Sequence, residues 1–353
     1  MFAEVKPVEI AQVEAARERI KDLSLITPLV GCDVAPPGKT LRLKLENLQP
    51  TGSFKIRPIA NAVLSKNPSD LSAGLYTSSS GNSALGVAWM ARRLGLKSTA
   101  LVPANAPQAK LEKLRHLGTR IETLAEDVWW RAIETGALQH QAGLYIDAVR
   151  DPASLAGDAT IGAEILTQWP EVEAVLVPFG GGGLACGIAC AVRALNPKVK
   201  IIACELASAH PLRSALAAGR PTPTQHEPGF VSGVGFGTVL PEMWPLARAL
   251  IDDVVTVSLE QVAAAIKLLA ENNRIIAEGA GALPVAAALA ARYSQSRVCA
   301  VVSGGNIDSD VFAAILQGSV GFQGGRRAVA RAPRPHEKVA GGQQQQPRNP
   351  DDP

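Results

Sequence analysis

Residues 174–195 read AVLVPFGGGGLACGIACAVRAL. The apolar run AVLVPF suits a short buried strand, and the alanine-rich LACGIACAVRAL suits a helix. Between them stand Gly180, Gly181, Gly182 and Gly183. Four glycines at a strand-to-helix junction exceed what a tight turn needs. They let backbone N–H groups converge on an anion, and the helix dipole adds to the attraction. A phosphate is the expected ligand, and which phosphate stays open at this junction. Gly180, Gly182 and Ala185 also fit the G-x-G-x-x-A pattern of dinucleotide folds. Glu205 ends IIACE (201–205), about where such a fold places its ribose-binding acid.

The same plan recurs along the chain. AGLYTSSSGNSALGVAWMARRLG (73–95), KSTALVPANAPQAKLEKLRHLG (97–118) and RVCAVVSGGNIDSDVFAAIL (297–316) each read as strand, turn and helix. Strands alternating with helical runs at this spacing predict an α/β protein of two lobes, each a parallel sheet flanked by helices, with a cleft between them. The expected division is a large cofactor-binding domain from residues 1–70 plus 150–320 and a small substrate-binding domain from 75–146. The segment 321–353 lacks apolar periodicity and reads as a disordered tail.

Composition narrows the class. Of 353 residues 47% are hydrophobic and only 4% aromatic, which suits a globular α/β chain. The net charge of +3 comes from the tail, where Ser319–Pro353 carries six Lys/Arg against three Asp/Glu. No basic footprint for nucleic acid remains in the body. Five scattered cysteines without a C-x-x-C pair suit a reducing compartment. The N-terminus, MFAEVKPVEI, lacks the pattern of an export signal, and GALPVAAALAA (281–291) is too short to cross a bilayer. A soluble cytoplasmic protein without a membrane partner is expected.

Three further features bear on the phosphate. Lys55 lies between Phe54 and Ile56 in QPTGSFKIRPIAN (49–61), an apolar setting that favours a neutral amine. SSSGN (78–82) is a polar turn before a helix expected to begin near Ser83. Its hydroxyl and N–H groups suit a carboxylate or simply cap that helix. SGGN (303–306) is another such turn, open to the same two readings. An amine for a Schiff base, a phosphate cradle, a carboxylate seat and a polar partner for a pyridine nitrogen are together what pyridoxal 5'-phosphate (PLP) requires. A nicotinamide enzyme would leave Lys55 and the Ser-Ser-Gly-Asn turn unexplained.

In order and spacing, LKLENLQPTGSFKIR (43–57), SSSGNSALGVA (78–88), VPFGGGGLACG (177–187), AEGAGA (277–282) and VVSGGN (301–306) resemble the serine/threonine dehydratase family. These are fold-type II PLP enzymes, of the tryptophan synthase β-like kind. The resemblance runs from about residue 10 to residue 320. It implies that Lys55 forms the internal aldimine and that Asn82 bonds the cofactor's phenolic oxygen. Gly180 to Gly183, with the Leu184 amide, would bind the phosphate, and Ser303 would face the pyridine nitrogen. Ser79, Ser80 and Asn82, flanked by Ser83, would seat the substrate carboxylate. A neutral serine at the ring nitrogen leaves a weaker electron sink, which favours prompt β-elimination. The implied activity is conversion of a 3-hydroxy amino acid such as threonine or serine to a 2-oxo acid and ammonia by a homodimer or homotetramer.

Departures from the family pattern carry their own expectations. Ser83 stands where these dehydratases usually have histidine, and Ser232, in FVSGVGFG (230–237), replaces an acid. Ser83 leaves room for a bulkier substrate such as phenylserine, and Ser232 again departs from ordinary threonine specificity. Ser80 holds the position where racemase relatives keep a second base, so amino-acid racemisation is an alternative. Pro211 stands where metal-binding relatives have aspartate, so no metal is expected. The five histidines show no ligand spacing, and Glu278 is placed near the cofactor or in a structural role. The 30-odd residues after the catalytic region are too few for an ACT-type regulatory domain, so feedback by isoleucine is not expected. Pro58 replaces the family's glycine, which predicts a helix beginning near Pro58 with Lys55 on the loop or frayed turn before it.

Overall fold

The computed structural model describes residues 2–319 except 105, 107, 136–142, 226–228, 235 and 291. The tail expected at 321–353 lies outside the described residues. Strands β1 (Leu29–Gly31) and β2 (Thr40–Leu45) come first, and β3 (Leu75–Ser78), β4 (Ser98–Pro103), β5 (Arg120–Leu124) and β6 (Leu144–Tyr145) follow. After them come β7 (Ala174–Pro178), β8 (Lys200–Leu206), β9 (Asp253–Val257) and β10 (Arg297–Val302). They form two sheets, a six-stranded one in the order β1-β2-β10-β7-β8-β9 and a four-stranded one in the order β5-β4-β3-β6. Every pairing is parallel except β1 with β2. The three-residue β1 sits at the edge, where an antiparallel neighbour needs no crossover helix.

Helices cover both faces, as strands buried on both sides require. The first half of the chain supplies α1 (Ile10–Ile20), α2 (Ile56–Leu64), α3 (Pro68–Leu71), α4 (Asn82–Leu94), α5 (Gln108–His116) and α6 (Glu126–Thr135). The second half supplies α7 (Pro152–Gln168), α8 (Gly183–Leu195), α9 (Pro211–Ala218), α10 (Trp244–Leu250), α11 (Leu259–Leu268), α12 (Gly279–Leu289) and α13 (Ser309–Leu316). Although β1 and β2 join the larger sheet, α2 packs Ile56, Ile59 and Val63 with Leu75 of the smaller one and with Val87 and Met90 of α4. The strands of the first 70 residues thus belong with one sheet, and the helix that follows Lys55 packs with the other.

Helix α2 starts at Ile56, two residues before the expected Pro58, and Lys55 is its N-cap. Proline is tolerated there because the first helical N–H groups have no acceptor in the helix. Beside it, Arg57 is buried in a cluster of four charges. Its guanidinium donates to Glu46 (Nε to Oε2, 2.8 Å) and to Glu164 (Nη1 to Oε1, 2.6 Å), and Lys44 Nζ reaches Glu164 Oε2 at 2.5 Å. Burial opposes the charge on Glu46, yet Arg57, Lys44 and the Thr27 hydroxyl hold its carboxyl below the usual range. The cluster ties β2, the turn after it, α2 and α7 into one block. Arg57→Ala leaves two carboxylates buried without this partner. It is expected to cost about 3–5 kcal/mol of stability, read from chemical denaturation.

Candidate active site

Two loops from opposite ends of the chain make the floor of the site. Residues 52–54 run beside 303–305: Phe54 N donates to Ser303 O (2.9 Å), and Gly305 N donates to Gly52 O (2.9 Å). Ser53 and Gly304 form a β-bridge between them. This pairing sets Lys55 one residue from the Ser303 strand end. It also settles the reading of SGGN, because α13 begins only at Ser309 behind Asp308, so the turn does not cap a helix. Gly304 permits the approach, since a Cβ there would lie 2.4 Å from Glu278 Oε1.

Lys55 is half-buried. Its ammonium lies 4.9 Å from the Phe54 ring centroid and its Nζ donates to Ala148 O at 3.4 Å. Burial pushes its pKa down, against the opposing fields of Asp158 and Asp147. That is the direction a lysine needs to act as a neutral amine. Gly86 of α4 crosses α2 closely here: a Cβ would lie 2.5 Å from Ile59 Cδ1 and 3.5 Å from Lys55 O. The crossing brings the start of α4 beside the lysine.

That start is the SSSGN turn. Helix α4 begins at Asn82, one residue before the expected Ser83, with Gly81 as N-cap and no side-chain capping bond. Ser79 Oγ instead accepts from Gly81 N at 3.1 Å. Ser79, Ser80, Asn82 and Ser83 are all half-buried. Asn82 is held on both sides, donating to Glu278 Oε1 (2.6 Å) and accepting at Oδ1 from Asn306 Nδ2 (2.9 Å). Asn306 Nδ2 also lies 2.9 Å from Thr51 O.

The glycine run completes the site. Gly182, at φ +95°, is the N-cap of α8, in a conformation that side chains rarely adopt. Gly180 has no room for a Cβ, which would lie 2.3 Å from Gly233 O. Gly183 and the buried Leu184 open the helix, so the first-turn N–H groups are free to meet an anion. A Cβ on Gly183 would lie 3.3 Å from Ala148 O, the carbonyl that Lys55 touches. Cradle and lysine therefore border one space. The Ser53 hydroxyl, two residues before the lysine, is buried without a hydrogen-bond partner.

This donor set fits PLP. It does not fit a dinucleotide, because both carboxylate oxygens of Glu205 are engaged by backbone N–H groups, Leu212 N at 2.8 Å and Arg213 N at 3.0 Å. Burial pushes that carboxyl up to about 7 despite these bonds. Glu205 holds the start of α9 rather than a ribose. Among the described residues no group of three His, Cys, Asp or Glu side chains is arranged to hold a metal.

Residues 20–304 match the family model described as pyridoxal-phosphate dependent enzyme. The chain belongs to this family. It is 33% identical over 314 residues to an L-threonine ammonia-lyase of Thermotoga maritima, covering 88% of this chain and 78% of that one. Two solved structures share its fold. A threonine deaminase of T.th. has a TM-score of 0.78 at 32% identity, covering 85% of this chain and 99% of its own. Maize serine racemase has a TM-score of 0.79 at 30% identity, covering 89% and 98%.

Some residues of this PLP enzyme's site escape sequence reading. Asn306 stands inside a recognised motif that gives it no role, although it steadies Asn82. Asp158 escapes as well, although a charge inside the apolar run SLAGDATIGAEIL (154–166) is a visible signal. Trp130 and Phe236 have no signal, because their edge-to-face contact (centroids 5.9 Å apart) joins α6 to a distant loop. Asn306→Ala removes one neutral bond from Asn82 and is expected to lower kcat/KM about fivefold, with thermal stability nearly unchanged in a parallel melt.

Proposed function

We propose that this chain is a PLP-dependent ammonia-lyase that eliminates water from a 3-hydroxy amino acid such as threonine or serine, after which water replaces ammonia on the resulting enamine to give a 2-oxo acid. The observation that carries this reading is the loop pairing that sets Lys55 beside Ser303, with Asn82 and the glycine run bordering the same space. The relatives named as L-threonine ammonia-lyase and threonine deaminase support the same class of reaction. The larger lobe, 1–70 plus 150–320, is proposed to carry the cofactor, and 75–146 the substrate carboxylate.

When bound, PLP supplies the electron sink for a carbanion at the substrate Cα. The work of this chain's residues follows from their chemistry. Lys55 holds the cofactor and, once released, takes the Cα proton on Nζ. Its depressed pKa keeps that amine a free base more of the time. Gly180, Gly181, Gly182, Gly183 and the Leu184 amide hold the phosphate at the positive end of α8. Ser79, Ser80 and Asn82 hold the substrate carboxylate at the start of α4, which keeps the β-hydroxyl facing the cleft. Ser303, buried and neutral, would face the ring nitrogen and supply no acid to protonate it. Glu278 and Asn306 keep Asn82 from rotating.

A bulkier substrate is the second reading, and a specific observation favours it. Phe236 Cζ lies 3.5 Å from the Cβ position of Gly181, and Trp130 packs its edge on the same ring. An aromatic pair in a chain with so few aromatics thus stands at the mouth of the cradle. Racemisation rests on Ser80 and on the serine racemase likeness, and it would show as D-isomer formed from L-serine. The chain is further proposed to be cytoplasmic and a homodimer or homotetramer. Its cysteines are free and buried, as a reducing compartment allows. Among the described residues no helix is long and apolar enough to cross a membrane.

Lys55→Ala is expected to abolish the visible absorbance of the lysine-bound cofactor together with 2-oxo acid release. A variant that stayed yellow and active would reject the lysine. Threonine and 3-phenylserine, both stereoisomers of each, separate the two substrate readings through ammonia release. If the aromatic pair lines the substrate side, phenylserine gives the higher kcat/KM and Trp130→Ala narrows the gap. A strong preference for threonine rejects the bulky-substrate reading.

A further inference from the structure

Asp158 takes no part in the roles above, yet it is the least ordinary side chain near the site. It lies midway along α7 with no exposed surface, and neither carboxylate oxygen has a hydrogen-bond partner. Helix α7 meets two neighbours there through glycine. A Cβ on Gly157 would lie 2.5 Å from Arg57 O, so α7 touches α2 directly behind Lys55. A Cβ on Gly187 would lie 2.6 Å from the Asp158 Cβ, so α8 rests on the aspartate itself. Its Oδ2 is 3.4 Å from the Cβ position of Gly183. Ala148 O, the acceptor for Lys55, is 3.3 Å from that same point. The carboxyl therefore lies under the first turn of α8, beside the phosphate cradle, and it acts on Lys55 through its field rather than through a hydrogen bond.

A buried carboxylate without a donor is unfavourable unless it is neutral or sees a cation. An anion under a phosphate cradle would also repel the phosphate. We propose that Asp158 is a positioning residue that shares one proton with Lys55, holding it while the lysine is a neutral amine and becoming the countercharge when the lysine is an ammonium. Only O–H and N–H bonds change, because the proton lost by the carboxyl is the one gained by Nζ. The inference rests on Lys55 being the cofactor lysine. Its consequence is that the site keeps one charge state overall while the lysine changes its own.

The charged and titratable groups around the pair are few. Lys55 and Arg57 face the carboxyl from α2, and Glu46 faces it from the turn after β2. Asp147, after β6, acts on the lysine. Cys186 faces it from α8, where burial keeps the thiol neutral. Burial pushes the Asp158 carboxyl up to about 8 although Lys55 opposes the shift. The folded protein thus holds a proton that the unfolded chain has already released. The stability this contributes is complete below the unfolded value of 3.8 and is lost as pH rises through about 8.

Thermal unfolding of the full-length chain freed of cofactor, from pH 4 to pH 10, tests the pair. The melting-temperature gain of Asp158→Asn over wild type should widen from about pH 4 to about pH 8 and then level off. In Lys55→Ala the decline of melting temperature should extend to higher pH, because the carboxyl has lost the cation that favours its ionised form. If Asp158→Asn folds poorly, wild type against Lys55→Ala decides alone, and identical pH dependence overturns the proposal. Titration with PLP gives a second readout. Without the carboxylate the amine is easier to deprotonate, so the acid limb of cofactor capture should move down by about one pH unit in Asp158→Asn. A pH-independent melting difference and an unmoved capture limb overturn the shared proton and leave the cofactor reading standing. A Lys55→Ala protein that still forms the visible lysine-bound species overturns the cofactor reading instead, while the melting comparison still judges the pair.

Discussion

The antiparallel contact between residues 52–54 and 303–305 is the constraint on which the site depends. It joins the loop before α2 to the loop after β10, two pieces some 250 residues apart in the chain. Its two backbone bonds, Phe54 N to Ser303 O and Gly305 N to Gly52 O, fix Lys55 relative to Ser303 without a side chain. The approach is possible only because glycines stand at the crowded points. A Cβ at Gly52 would lie 2.7 Å from Asn306 Oδ1, and one at Gly281 would lie 2.3 Å from Gly304 O. From this contact Asn306 reaches Asn82, Asn82 reaches Glu278, and the start of α4 is drawn over the lysine.

The buried charges behind Lys55 hold α2 at its place. Arg57, Glu46, Glu164 and Lys44 exchange short hydrogen bonds with little or no exposure. Such a cluster contributes little net stability over a well-packed apolar one, because each charge is first stripped of water. It is specific, however: a shift of α2 by one residue would leave several charges unpaired. In this chain the direction of α2 sets where the lysine amine emerges, so geometric specificity at Arg57 becomes position at Lys55.

The same close packing gives the site its electrical character. Close glycine contacts of α7 with α2 and α8 bring Asp158 within the field of Lys55, and burial drives both toward their neutral forms. With the carboxyl pushed toward its neutral form beneath a cradle of backbone N–H groups, the positive end of α8 favours a phosphate. Trp130 and Phe236 pack edge to face beside Gly181, joining the helix after β5 to the loop before α10.

The local reading of the chain identified what depends on neighbouring residues. The Gly180–Gly183 junction, the polar turns at Ser78 and Ser303, the parallel α/β plan and the amine at Lys55 all follow from composition and period, because turns and helix starts are made by adjacent residues. The start of α2 at Ile56 rather than Pro58 was legible to within two residues, as expected where a proline suits any early position of a helix. Only the tertiary structure decided that SGGN pairs with the lysine loop instead of capping a helix, and that Glu205 serves a helix start and not a ribose. It alone brought Asp158 beneath the cradle and Trp130 onto Phe236. These are contacts between residues far apart in sequence, and their existence depends on which helices cross at glycine, a matter of packing that no window of the sequence contains.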